Sequence, residues 1–159
     1  MRAVVCRAWG NHRGLTVEEV AEPPMIEGGL RVAVAAAGIN FADTVMIEGR
    51  YQNKPPLPFS PGLEAAGRVV EVGPGVKGFK AGDRVLAKLD YGAYAEEVVA
   101  DARFAWKVPK GMDLTTAAGF AVVYGTSHLA LTDRASLKAG ETLLIHGAAG
   151  GVGLTAVEI

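Results

Sequence analysis

A chain of 159 residues with a formal net charge of −1 carries no excess charge to hold nucleic acid or an anionic membrane surface, and its Lys and Arg residues are scattered. Half of the residues are hydrophobic and 21% are charged, a globular composition with enough length to bury a sizeable core. The single cysteine, Cys6, excludes an internal disulfide and a thiolate metal cluster; in the run Ala3-Val4-Val5-Cys6 it reads as a buried, inert thiol. No charged-then-apolar leader opens the sequence and no apolar run is long enough for a bilayer, so the expectation is a cytoplasmic protein without membrane insertion.

The 21 glycines and 8 prolines fall mostly between short apolar segments, a pattern of many short strands. In chain order, strands are predicted over residues 2–6, 15–20, 30–37, 64–72, 84–89, 93–99 and 104–108. Several alternate in character, as in Leu30-Arg31-Val32-Ala33-Val34, which gives one buried and one wetter face. Turn signals at Gly28-Gly29, Gly73-Pro74-Gly75 and Ala81-Gly82-Asp83 separate them. Seven strands at this spacing predict a small, partly open β-barrel. A short helix is predicted over residues 41–48, stopped by Gly49, and the four prolines in residues 50–62 predict an irregular surface loop.

The character changes at Asp113, a suitable N-cap for a helix over residues 114–131. Gly119 and Gly125 weaken this helix, and a kink is placed near Gly125. A turn at residues 138–141 leads into the buried-strand run Thr142-Leu143-Leu144-Ile145, a glycine-rich corner and a helix over residues 152–159. The fold class read from these elements is mainly β: a small, partly open barrel, followed by a strand, a glycine-rich corner and the start of a helix, the opening of an α/β unit. The boundary is set between residues 1–120 and 121–159.

The corner Ala148-Ala149-Gly150-Gly151-Val152-Gly153 carries the strongest chemical signal, because it follows a strand and opens a helix. Gly150 lets the backbone approach a pyrophosphate without a Cβ in the way, and Gly153 lets the helix pack tightly on the strand. Free N–H groups and the positive end of the helix dipole favour the anion, so residues 149–153 (Ala149, Gly150, Gly151, Val152, Gly153) are candidate cofactor-binding positions. The first glycine of the usual G-x-G-x-x-G pattern is Ala148 here, and a glycine-rich corner also serves as a plain tight turn. A dinucleotide fold needs several further strands and an acidic residue about 20 positions past the glycines. The expectation is that this sequence is part of a longer protein and by itself binds the cofactor weakly or not at all.

Gly38-Ile39-Asn40-Phe41-Ala42-Asp43, Pro61-Gly62-Leu63-Glu64-Ala65-Ala66-Gly67, Val72-Gly73, Ala81-Gly82-Asp83-Arg84-Val85 and the glycine corner occur in order along the whole chain. Together they resemble the quinone-oxidoreductase branch of the medium-chain dehydrogenases and reductases. That resemblance implies a GroES-like catalytic barrel in residues 1–120, the start of a Rossmann domain in residues 121–159, and an active site between them. In zinc-dependent relatives the segment matching Gly38-Ile39-Asn40 carries a zinc-binding cysteine, and the one matching Gly62-Leu63-Glu64 a zinc-binding histidine. Asn40 and Leu63 stand there instead, and neither an amide nor an alkyl group replaces a thiolate or imidazole. No metal site is expected.

Without a Lewis acid, the chemistry implied is hydride donation from NADPH to an electron-poor acceptor such as a quinone, a small-molecule substrate. The resemblance places Asn40 and Asp43 in the cleft near the nicotinamide, gives Tyr51 to the cofactor and substrate pocket, and sets Thr126 against the nicotinamide end. Each has a plainer alternative: Asn40 as a helix cap, Asp43 as a favourable first-turn acid, Tyr51 as packing, Thr126 bonded to its own helix. His12, His128 and His146 show no partner carboxylate or nucleophile in sequence. A double-bond reductase acting on enones or enoyl thioesters shares the fold and cofactor. A non-catalytic protein resembling a lens crystallin or a vesicle-membrane-associated relative is the reading from another class. Relatives of this kind are often homodimers.

Overall fold

The computed structural model describes residues 1–159. Seven strands form, as the alternation predicts: β1 (Arg2–Val5), β2 (Thr16–Glu19), β3 (Gly29–Ala37), β4 (Glu64–Val72), β5 (Arg84–Lys88), β6 (Glu97–Asp101) and β7 (Ala105–Lys107). They divide into an antiparallel β1–β2 pair and a five-stranded antiparallel sheet in the order β6-β3-β4-β5-β7. The long β3–β4 ladder sits at its centre and breaks register between Arg31 and Val32 and again between Val34 and Ala36. Such bulges bend a strand and increase its twist, and the sheet curls around Leu30, Val32, Val69, Val85 and Val98. Single bridges from Ala3 to Ala95 and from Cys6 to Phe59 attach the β1–β2 pair. Cys6 is buried, as read from its apolar run.

The strand predicted over residues 93–99 begins only at Glu97. Ala93 and Tyr94 donate their N–H groups to the carbonyls of Gly62 and Pro61, so this stretch cross-links a loop rather than extending a ladder. That loop, residues 50–62, is irregular as its prolines require. Helix α1 (Phe41–Ile47) follows Asn40 and ends at Glu48, with Gly49 at φ +70°, a left-handed turn that suits glycine. It buries Met46 and Ile47 against Cys6, Phe59 and Leu63.

The helix predicted over residues 114–131 is corrected by the structure. Asp113 caps it as expected, accepting from the Thr116 N–H, but α2 (Leu114–Ala118) stops at Gly119 and a new helix, α3 (Ala121–Leu129), begins after Phe120. Gly125 passes through α3 without a break. The break falls earlier because Val122 N–H, which would bond to Ala118 in a continuous helix, donates instead to the Glu64 carboxylate. One wide turn (Ala130–Arg134) extends α3.

A second correction concerns residues 142–145, which pair with no strand. A parallel strand is defined by its ladder, and no strand lies beside this segment; Leu144 is 78% exposed. Helix α4 (Gly151–Glu158) forms within a residue of its predicted limits and packs on α3. No helix is long and apolar enough to cross a membrane.

Gly67 is the tightest point of the central ladder: a Cβ there would lie 2.0 Å from the Ala33 carbonyl oxygen. Backbone offers no rotamer to move aside. Gly67→Ala is therefore expected to cost more than about 2 kcal/mol of unfolding free energy. Urea unfolding checks this, and a loss below about 0.5 kcal/mol would contradict the packing described.

Candidate functional site

The turn from β3 into α1 brings Asn40 and Asp43 beside the first residue of β4, Glu64, and the loop before β6 adds Tyr94. Asp43 Oδ2 accepts the Asn40 backbone N–H at 2.7 Å and the Tyr94 hydroxyl at 2.8 Å. The Asn40 side-chain amide donates to Glu64 Oε1 at 2.9 Å, while Glu64 Oε2 accepts the Val122 N–H at 2.9 Å. Two acids, an amide and a phenol thus form one connected polar chain, ending on the first turn of α3. Asp43 and Glu64 are each only 2% exposed.

Burial sets their electrostatics. Loss of water pushes the Asp43 carboxyl above its ordinary value, against the opposing pull of the Asn40 backbone N–H, the Tyr94 hydroxyl and the Gly62 backbone. Burial likewise raises Glu64; the donors Asn40, Val122 and Ala121 oppose the rise and the nearby Asp43 charge adds to it. Tyr94 is held well above the phenol range by burial first and by Asp43 second. Asp43 Oδ1 is buried and makes no hydrogen bond, a state that costs about 1–3 kcal/mol at a polar atom. Ile39 and Phe41, on either side of half-buried Asn40, stand 86% and 85% exposed.

Asn40 meets the plainer of its readings, at the head of a helix. It stands at the head of α1 in a capping-box arrangement with Asp43, and its side-chain nitrogen is turned to Glu64. The acid of the first turn, Asp43, is a buried network member rather than a surface charge. Tyr51 is half-buried against the Cys6, Met46, Phe59 and Leu63 cluster and makes no side-chain hydrogen bond to the polar chain. The Thr126 hydroxyl bonds back to the Val122 carbonyl of its own helix at 2.6 Å, the plainer of its two readings. Leu63 is packed with Met46 and Phe59. His12, His128 and His146 do not join the polar chain. An apolar pocket of about 400 Å³, lined in part by Val5, Phe59, Leu89 and Tyr91, shares no residue with it.

Glu64 and Tyr94 are the members that sequence reasoning missed. Glu64 left a signal, an acid inside the small apolar run Leu63-Glu64-Ala65-Ala66 that becomes a buried strand end. Tyr94 left none, because only the loop cross-links around residues 61–62 aim it at Asp43.

The glycine corner forms a separate feature. Gly150 to Val152 are exposed, and Gly150, at the head of α4, provides no side-chain cap, so the first N–H groups of α4 have no partner within the helix. A Cβ on Gly153 would lie 2.2 Å from the Gly147 carbonyl oxygen. The close approach is therefore to the turn before the helix rather than to a strand. Buried Ser127 on α3 bonds to Thr155 at 2.7 Å and fixes α4 against α3.

Residues 26–110 match the alcohol dehydrogenase GroES-like domain family. The chain is 42% identical over 158 residues to quinone oxidoreductase-like protein 2 of Rattus norvegicus, covering 99% of this chain and 45% of that protein. The human synaptic vesicle membrane protein VAT-1 homolog-like protein superposes with a TM-score of 0.96 at 37% identity, covering 99% of this chain and 51% of that one. The quinone oxidoreductase of Thermus thermophilus, solved also as its complex with NADPH, gives 0.85 at 34% identity, covering 99% of this chain and 49% of that one. The chain spans about half the length of the relatives it matches.

The buried acids set a pH dependence whose sign is fixed by the direction of their shifts. A carboxyl raised in the folded state binds its proton more readily there than in the unfolded chain, so stability rises as pH falls through the raised range. The gain is complete near the ordinary values of 3.8 for Asp43 and 4.5 for Glu64. Below that range Glu18, Asp83, Glu96, Asp101 and Asp113, all held low by hydrogen-bonded partners, lose their contribution. Urea unfolding is expected to show stability increasing from neutrality to mild acid and falling beyond it. Asp43→Asn should flatten the rise; a steady decline from neutrality downward would refute this account.

Proposed function

Because the chain belongs to the alcohol dehydrogenase GroES-like domain family, we propose that the full-length polypeptide is an oxidoreductase carrying out metal-free hydride transfer from NADPH to a quinone or similar electron-poor acceptor. The observation that carries the metal-free reading is the engagement of the two positions where zinc-dependent relatives have ligands. The Asn40 amide nitrogen is spent on Glu64, and Leu63 is an alkyl group packed into the core with Met46 and Phe59. An amide nitrogen has no lone pair to give a metal, and an alkyl chain has no donor atom.

The residues present fit a dinucleotide at its phosphate end. Uncapped N–H groups at the head of α4, together with Ala149, Gly150, Gly151, Val152 and Gly153, would hold the pyrophosphate. Residues 1–120 are read as the catalytic barrel and residues 121–159 as the opening of the dinucleotide-binding domain. When bound, NADPH supplies the hydride. The chain's own part is binding and orientation: Asn40 offers a polar group between the exposed apolar side chains of Ile39 and Phe41, suited to a flat, apolar ring system. Asp43, locked to Tyr94 and to the Asn40 backbone, holds that turn in place. Tyr51, packed against the Met46 cluster, and Thr126, carried on α3, are assigned to the cofactor and substrate pocket as part of this proposal.

A second reading is favoured by a specific observation, the 0.96 superposition on the vesicle-membrane-associated relative. The two separate on cofactor binding and turnover by the full-length polypeptide. NADPH oxidation with a panel of quinones is the expected result; turnover of enones with none of the quinones would move the assignment to double-bond reduction, and no NADPH binding would favour the non-catalytic reading. Metal analysis is expected to find no stoichiometric zinc.

Gly153→Ala provides a local test of the corner. Its Cβ has no room against the Gly147 carbonyl, so NADPH affinity is expected to fall at least about tenfold by titration, a loss of about 1.4 kcal/mol. Unchanged affinity would remove the corner from the cofactor site.

A further inference from the structure

We propose that Glu64 is a positioning residue, whose two carboxylate oxygens fix the Asn40 carboxamide with its oxygen turned away from the acid and seat the first turn of α3 in the same register. The inference deepens the proposed function and rests on its placing of Asn40 beside the cofactor.

A carboxylate only accepts hydrogen bonds. With Oε1 facing Asn40 at 2.9 Å, the amide must turn its nitrogen inward; the flipped amide would press its own oxygen against a charged oxygen. Asn40 Oδ1 then lies on the side of the α1 head, where the Asp43 N–H already meets the Asn40 backbone carbonyl at 3.0 Å. An amide oxygen carries two lone pairs, so Oδ1 keeps room to accept from a ligand's donor group, such as a hydroxyl or a carboxamide N–H. The other oxygen of the acid, Oε2, holds Val122 N–H at 2.9 Å. One side chain therefore sets both the chemical face of Asn40 and the seat of the helix that carries Thr126 and, through Ser127 and Thr155, grips α4.

Gly38 supports this from a third direction. A Cβ there would lie 2.5 Å from Glu64 Oε1 and 2.5 Å from the Ala118 carbonyl oxygen. Its φ is not in the left-handed region, so glycine stands here for space: any side chain would displace the carboxylate or the end of α2.

Glu64→Gln keeps the shape but offers one acceptor and one donor group in place of two acceptors, so it cannot accept from both Asn40 and Val122. Gly38→Ala keeps the charge and crowds the carboxylate. Two signals report on the 159-residue chain without any cofactor: the side-chain NH₂ resonance of Asn40 in nitrogen-15 spectra, and hydrogen exchange at the Val122 amide. We expect at least one of them to move in each variant, Val122 exchange by about tenfold, the effect of one ordinary hydrogen bond. In the full-length polypeptide, NADPH affinity is expected to fall about tenfold in Glu64→Gln, with KM rising more than kcat falls. A purely structural role would lower stability without this split. Unchanged Asn40 and Val122 signals in both variants overturn the positioning role whatever the cofactor does. Moved signals with unchanged NADPH affinity overturn its link to the ligand. If the wild-type polypeptide binds no NADPH, the proposed function and that link fail together, and the two resonance readouts still decide the positioning role.

Discussion

The carboxylate of Glu64 is buried at the place where the sheet meets the helices, and much of the local structure follows from keeping it satisfied. Burying a charge is costly unless hydrogen bonds compensate it, and Glu64 is bonded through both oxygens. One oxygen takes the Asn40 amide and the other the start of α3. That second bond is what α2 and α3 gain by separating, since the Val122 N–H finds a charged acceptor off the helix axis. Space for it comes from Gly38, and the neighbouring acid Asp43 is held by the Tyr94 hydroxyl and the Asn40 backbone.

The barrel provides the rigid frame for this arrangement. Two register breaks in β3 curl the sheet, and the side chains of Leu30, Val32, Val69, Val85 and Val98 fill the curl. Met46, Ile47, Phe59 and Leu63 form a second cluster that anchors α1, and Ala66, Leu86 and Val108 join the sheet to Ala117 and Ala118 of α2. Cores packed this densely transmit position with little play. Asn40 thus sits on a turn fixed on both sides, with the exposed Ile39 and Phe41 as its immediate surface.

The helical part is held by smaller contacts. Ser127 and Thr155 satisfy each other at the α3–α4 crossing, and the tight turn under Gly153 sets the angle at which α4 leaves the corner. Residues 142–145 lead into that corner without a ladder of their own. The proposed phosphate site would rest mainly on the turn and the first helical turn, and α4 begins directly after the corner.

Strand alternation, turn residues and helix stops are local properties, and the sequence by itself determined them: seven strands, α1 with its stop at Gly49, the Asp113 cap, the buried Cys6 and the glycine corner were all legible in it. So was the identity of Asn40 and Leu63, which is chemistry carried by residue type alone. Tertiary structure decided what depends on partners distant in the chain. It split the helix at Gly119 rather than Gly125, because an acceptor 58 residues away captured the Val122 N–H. It left residues 142–145 unpaired, because a strand's hydrogen bonds belong to its neighbour. It gave the amide nitrogen of Asn40, a residue already placed at the head of α1, to Glu64, and it recruited Tyr94, whose place beside Asp43 comes from a contact across 51 residues. Periodicity records which face of an element is buried; it does not record which distant polar atom will wait there.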